Sequence, residues 1–251
     1  MIERIRSGSE DVLTLTRVRV ADLAPSVIVV GDPARAAKAA RLLDGARQVG
    51  ENREYVTYTG SYSGVPVSIA SHGVGAPGAA IMFEELCRAG VRRIIRAGTA
   101  GGIQPEVVDG SVVVATAAVR DDGVTDALVP VAYPAVADAA LTLRLVEQAA
   151  RQGATLHTGI VLSSRCFYPL GVLPNDHALW QRAGVVAVEM ELAALFVIAS
   201  VHGVAAAGVL AVDGNPLARK DETMSAYQPF RAVVGQAVDH ALRAALGALT
   251  T

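Results

Sequence analysis

The sequence predicts an α/β fold: a single domain over residues 1–251, built as a central mixed, twisted sheet flanked by helices. Two observations lead there. Short β-branched runs alternate with runs of good helix formers along the whole chain, which is the pattern of a sheet covered by helices on both faces. Hydrophobic residues make up 52% of the 251 residues and aromatics only 4%, so Ala, Val, Leu and Gly supply most of the core. Such side chains suit helices packed closely on a sheet better than a β-sandwich or a base-stacking surface. No linker, low-complexity tract or internal repeat interrupts the pattern.

The elements follow in order. SVIVV (26–30) ends at Gly31 and reads as a buried strand, and ARAAKAARLL (34–43) as a helix. Residues 54–71 alternate and carry turn residues, so they read as a hairpin. Residues 77–90 form a helix entered on Pro77 and left on Gly90. Residues 92–98 and 111–119 are strands, 135–153 a helix and 158–164 a strand. VVAVEMELAALFVIAS (185–200) is a strand that runs into a helix, 203–213 is a strand, and a helix from about Pro229 closes the chain. In such a sheet, ligands gather beyond the carboxyl ends of the strands. That singles out GDPAR (31–35), SHGVGAPG (71–78), RAGTAGG (96–102), SSRCFYP (163–169), VEME (188–191) and VDGNP (212–216).

Several classes are disfavoured. A formal charge of −2 argues against a general nucleic-acid binder. No apolar run reaches the ~18 residues of a membrane span, so no membrane role is expected. Residues 1–20 lack the apolar stretch of a secretory signal, which points to the cytoplasm. Cys87 and Cys166 match no metal or redox spacing and no histidines pair at ligand spacing, so no metal site is expected.

GVGAPG spells a literal GxGxxG through Gly73, Gly75 and Gly78. A dinucleotide site would need it in the first βαβ unit, with an acidic residue about 20 positions on. Here it follows a hairpin, the next strand ends at Arg96, and Pro77 lies inside the motif. A tight strand–helix turn with close backbone packing accounts for it better. Arg35 and Arg96 are more telling. Each lies at the mouth of a strand, and Arg96 runs into a glycine-rich turn containing Thr99. Guanidinium groups, backbone N–H groups and a hydroxyl together suit phosphate.

GDPAR (31–35), NREY (52–55), RAGTAGG (96–102), SSRCFYP (163–169) and VVAVEMELAAL (185–195), in this order and spacing, resemble the nucleoside phosphorylase family of hexameric type. The resemblance runs from about residue 15 to the closing helix. Within the family, VDGNP and EELCRAG look most like the purine nucleoside phosphorylases of apicomplexan parasites. It implies a nucleoside phosphorylase-like domain, phosphorolysis of purine nucleosides in purine salvage, no cofactor, and inorganic phosphate as a substrate. It also implies a homohexamer, a trimer of dimers. Gly31, Arg35, Arg96 and Thr99 would hold phosphate, with Arg53 supplied across the dimer. Val188, Glu189, Met190 and Glu191 would surround the nucleoside, with Glu191 accepting the ribose hydroxyls. Phe167 would lie against base or sugar, and Asp213 would protonate N7 of the leaving purine.

Departures narrow the expectation. Uridine phosphorylases carry a Gln and an Arg shortly after FYP, where this chain has Leu170, Gly171 and Leu173. Together with Asp213, this favours a purine over uridine. Methylthioadenosine nucleosidases share the VEME-like element and the aspartate but do not need Arg35, Arg53 and Arg96. A non-catalytic sensor would have no need of Glu191 and Asp213. The histidine that family members supply to the 5′-hydroxyl is replaced by Leu15, implying tolerance of 5′-deoxynucleosides. Arg165 stands where an acidic residue is usual. Glu189 and Glu191 straddle a strand-to-helix change and need not act together. Glu191 is expected in the first turn of the helix, facing the pocket, and Glu189 in support, paired with an arginine such as Arg53 or Arg35.

Overall fold

A computed structural model describes residues 11–170, 172, 177–217 and 231–251. The chain opens its sheet with β1 (Ser26–Val30), buried at every position, and turns at Gly31 into α1 (Pro33–Ala40). Asp32 caps α1 by accepting the Ala34 N–H, and Pro33 presets its first turn. A meander of β2 (Asp44–Asn52), β3 (Tyr55–Tyr62) and β4 (Val65–Ser71) leads to α2 (Ala76–Arg88) and then β5 (Arg93–Gly102). β6 (Val112–Asp121), α3 (Thr125–Leu128) and β7 (Ala135–Val136) precede α4 (Ala139–Arg151) and β8 (Leu156–Ser164). α5 (His177–Arg182), β9 (Ala187–Glu189), α6 (Leu192–His202), β10 (Ala205–Gly214) and α7 (Ala232–Thr250) complete the described residues.

The sheet is mixed. β1 pairs in parallel with β4 and β5, β5 with β10, and β8 with both β6 and β9. β10–β6, β5–β9, β6–β7 and the β2–β3–β4 meander are antiparallel. Because β10 pairs with both β5 and β6, the strands β5, β10, β6, β8 and β9 close on themselves. β1, β4, β3 and β2 extend outward from that closed half. Strand alternation sends Val27 and Val29 into a core shared with α2 and α6. It sends Ile28 and Val30 into a second core shared with α1, α4 and α7. α6 is buried at every position from Leu192 to Ala199, as befits a helix that is apolar all round. No helix of the described residues is long and apolar enough to cross a membrane.

Three expectations change and two unread elements, β2 and α5, are added. Residues 98–102, expected as a glycine-rich turn after Arg96, are the carboxyl half of β5. The 44–52 stretch, which carries no apolar pattern, is the edge strand β2; its partner β3 specifies it, and most of its residues stay exposed. The single helix over 135–153 is instead β7 followed by α4. Asp138 accepts the Leu141 N–H and starts α4 there, while Ala135 and Val136 pair with β6. α1 ends at Ala40, short of residue 43. α5 adds a short helix that no strong periodicity announces. Pro229, Gly171 and Leu173 lie outside the described residues.

Candidate active site

The ends of β1, β4, β8 and β9 come together beside Arg96 of β5: the His72 N–H donates to the Val30 carbonyl, the Ser163 hydroxyl donates to Glu189, and Glu189 pairs with Arg96. Arg96 stands in the middle of β5, between Val29 of β1 and Gly208 of β10, and is buried. Its guanidinium folds back over Gly98, two residues along on the same face. A Cβ on Gly98 would come within 2.1 Å of Arg96 Nη1, so glycine is required for this placement.

Arg96 Nη2 donates to Glu191 Oε2, and Nη1 lies 3.4 Å from Glu189 Oε2. Nε and Nη1 are buried with no hydrogen-bond partner among the described residues. Glu191 is the N-cap residue of α6, one position before the first turn, and its other oxygen accepts the Gly75 N–H at 2.6 Å. Gly75 is itself the N-cap of α2. Two helix N-termini therefore converge on one carboxylate, and both favour its charge. Burial works to raise the Glu191 pKa, but Arg96 and the Gly75 N–H outweigh it and hold the group below the usual carboxylate value.

Glu189 has a different task. It accepts the backbone N–H groups of Glu191 (2.8 Å) and Leu192 (2.9 Å), and the Ser163 hydroxyl. Ser163 in turn accepts the Ala193 N–H at 2.8 Å. Glu189 and Ser163 thus cap α6 from the ends of β9 and β8, and so set the direction of Glu191. Burial pushes the Glu189 carboxyl up, with the Glu191 charge adding to it against Arg96. The expected pairing of Glu189 with Arg53 or Arg35 is not found: its cation is Arg96, whose position on the adjoining strand brings it closer.

Gly73 and Gly75 both have positive φ, at 76° and 90°, so the GVGAPG segment is a tight turn. Its Gly75 N–H is spent on Glu191 and is not left to cradle a pyrophosphate. Gly31 ends β1, and Arg35 is half-buried in the first turn of α1 just beyond it. Thr99 is half-buried on β5 beside Ala211. Val188, on β9 opposite Gly101, and Met190 are half-buried. Asp213 is buried on β10 and not in a turn; the Arg231 guanidinium reaches its backbone carbonyl at 3.4 Å and also pairs with Asp109. Phe167 is 50% exposed, edge-on to Tyr168.

Arg53 stands apart from this cluster. It is exposed at the β2–β3 turn with φ 54°. Asn52 beside it donates to the Leu15 carbonyl at 2.7 Å, and Glu85 of α2 takes the Leu15 and Thr16 N–H groups. Leu15 and Arg53 therefore share one outward surface. Arg165 has a partner after all: it pairs with Asp121 at the end of β6, in an exposed bridge of small energetic weight. Among the described residues no group of three or more His, Cys, Asp or Glu side chains is arranged to hold a metal ion.

Sequence reasoning missed His72, Ser163 and Gly98. All lie in segments flagged as strand ends, but nothing local reveals their partners. His72 is fully buried, and neither ring nitrogen makes a well-aligned hydrogen bond among the described residues, which costs on the order of 1–3 kcal/mol per unmet group. Burial, then the Arg96 charge, depresses its pKa from 6.5 to about 4, against Glu191 and the backbone at Gly73 and His72. Between those pH values the unfolded chain binds a proton that the folded chain refuses. The stability tied to this ring is therefore complete above pH 6.5 and is lost as pH falls through about 4. Wild type should lose Tm relative to His72→Phe across that window in thermal scans, and parallel curves would show that the ring titrates normally.

Comparison with known proteins places these features. A model of the phosphorylase superfamily matches residues 25–250. A uridine phosphorylase of Thermococcus kodakarensis is 40% identical over 205 residues, covering 77% of this chain and 74% of its own. A guanosine phosphorylase of Halorubrum lacusprofundi is 35% identical over 233 residues, covering 93% of this chain and 96% of its own. The crystal structure of the Toxoplasma gondii purine nucleoside phosphorylase in complex with immucillin-H superposes with a TM-score of 0.90 at 31% identity, over 98% of this chain and 97% of that one.

Proposed function

From a chain that belongs to the phosphorylase superfamily, and within it to the nucleoside phosphorylases, we propose a purine nucleoside phosphorylase: nucleoside plus phosphate gives free purine and ribose 1-phosphate. One observation carries this reading. Arg96 is a buried cation with Nε and Nη1 unfilled, held beside an ionised carboxylate that is a natural acceptor for sugar hydroxyls. An anion and a polyol side by side fit that pair.

In the proposed complex Gly31, Arg35, Arg96 and Thr99 hold phosphate, and Val188, Met190 and Glu191 hold the ribose with Phe167 against it. Glu189 supports Glu191 from behind. Loss of the base develops positive charge on the sugar ring. The phosphate oxygen, held close on one face, stabilises that charge and forms the new bond to C1′ as the C1′–N9 pair leaves with the base. Asp213 gives its proton to N7, so the purine departs neutral. Arginines suit the anion because they keep their protons at any working pH. Arg53 is exposed at the β2–β3 turn, which supports its donation to a neighbouring copy in a hexamer built from dimers. Inorganic phosphate is the co-substrate, and no cofactor is invoked.

Uridine is the second reading, favoured by the 40% identity to a uridine phosphorylase. Against it, Leu170 follows FYP as an exposed apolar side chain with nothing to offer a uracil edge. A panel of inosine, guanosine, adenosine, uridine and 5′-deoxyinosine, each with and without phosphate, tests these readings. Purine turnover that requires phosphate, with 5′-deoxyinosine accepted about as well as inosine, is expected. A preference for uridine would overturn the base assignment. Undiminished cleavage without phosphate would mean a hydrolase, and rejection of 5′-deoxyinosine would remove the inference from Leu15.

A further inference from the structure

One buried group has no task in that chemistry. His72 directly follows β4, and its backbone N–H donates to the Val30 carbonyl at the end of β1 at 2.9 Å. Its ring meets Phe83 of α2 edge-on, centroids 5.4 Å apart, and its Cε1 would stand 3.9 Å from a Cβ on Gly31. Arg96 of β5 and Glu191 at the start of α6 are the charged groups that act on it. The ring is thus wedged between two strand ends, α2 and the Arg96–Glu191 pair, fully buried and without a partner on either nitrogen among the described residues. Phe or Leu would fill the same space without stranding a donor and an acceptor. The polar ring calls for a state of the protein in which it is satisfied.

Arg96 indicates that state. It commits Nη2 to Glu191 and leaves Nε and Nη1 unmet. A phosphate dianion carries more charge than one carboxylate oxygen and competes for the whole guanidinium fork. Glu191 then keeps the Gly75 N–H on Oε1 but loses its partner on Oε2 while still buried, which is costly unless another donor arrives. We infer that His72 is a positioning residue: its neutral imidazole N–H replaces Arg96 on Glu191 when phosphate draws the guanidinium away, keeping that carboxylate aimed at the sugar. The exchange moves hydrogen bonds and no protons; the imidazole stays neutral and Glu191 stays ionised.

This step rests on the phosphate-dependent reaction proposed above, and its test separates the two. The probe is the nitrogen NMR spectrum of the His72 ring and the Arg96 guanidinium in the full-length protein, titrated with inorganic phosphate alone. One imidazole nitrogen should move to a hydrogen-bonded position as phosphate saturates, and should stay still in Glu191→Ala. His72→Phe should fold with a Tm at neutral pH at or above that of wild type yet lose about tenfold to a hundredfold in kcat/KM, and His72→Asn, which keeps a donor, should recover most of that activity. The opposite ranking, Phe active and Asn impaired, means the ring only fills space and overturns the inference. A shift that survives in Glu191→Ala overturns it too, because His72 would then bond the anion itself. Phosphate that moves Arg96 and not His72 defeats this inference alone; phosphate that moves neither defeats the phosphorolysis as well. The wild-type titration decides the matter even if His72→Phe does not fold.

Discussion

Arg96→Lys is expected to lower kcat/KM for phosphorolysis by about 10²–10³-fold while the protein remains folded. A lysine keeps the charge but replaces a planar fork by a single flexible ammonium. It can satisfy Glu191 Oε2 or meet the anion, and cannot do both with the geometry that Arg96 offers through Nη2 and the unmet Nε and Nη1. Arg96→Met should go further. It leaves Glu189 and Glu191 buried without a cation, and breaking a buried pair in this way costs about 3–5 kcal/mol. That loss is read as a lower urea midpoint at unchanged slope. Gly98→Ala offers a third route to the same group, since its new Cβ would stand 2.1 Å from Nη1 and displace the guanidinium without removing its charge. Wild-type phosphate dependence in Arg96→Lys would take the anion away from Arg96 altogether.

Asp213→Asn should keep nucleoside binding and lose about 10²–10⁴-fold in kcat for inosine. Asparagine has the shape of the aspartate and suits the same buried place on β10, but has no acidic proton to give. The loss should therefore fall on kcat, with KM little changed. A purine nucleoside already methylated at N7 carries the charge that protonation would supply, so the variant should turn it over nearly as well as wild type does. Equal losses on both substrates would mean that Asp213 only shapes the pocket, and unchanged turnover of inosine would remove it from the mechanism.

Much of the candidate site was legible because strand ends announce themselves. Gly31 and Arg35 follow a β-branched run that ends where expected, and the change from β9 to α6 is visible where VVAVE gives way to LAALFVIAS. Arg96 and Thr99, expected at a strand end and in a turn, instead lie within β5, which runs on to Gly102. The elements that were missed or misread are those with weak local signals. β2 is polar and exposed, held by its neighbour and by no pattern of its own, and β7 is only two residues long. The supporting role of Glu189 was legible, but its arginine partner was misread for another reason. Its alternative partners Arg35 and Arg53 are charged like Arg96, and spacing along the chain does not rank three arginines by distance.

By itself the sequence determined the alternation of strands and helices, the apolar faces, and which charges and glycines lie at or near strand ends. Those follow from backbone periodicity and side-chain type, which act over a few residues. Only the tertiary structure decided who meets whom. The Glu191 carboxylate takes an N–H from Gly75, 116 residues away, and a guanidinium from Arg96, 95 residues away. It left Nε and Nη1 of Arg96 unmet and sealed His72 behind the pair. These contacts depend on strand order and on β10 pairing with both β5 and β6, which is a property of the closed sheet and of no segment within it.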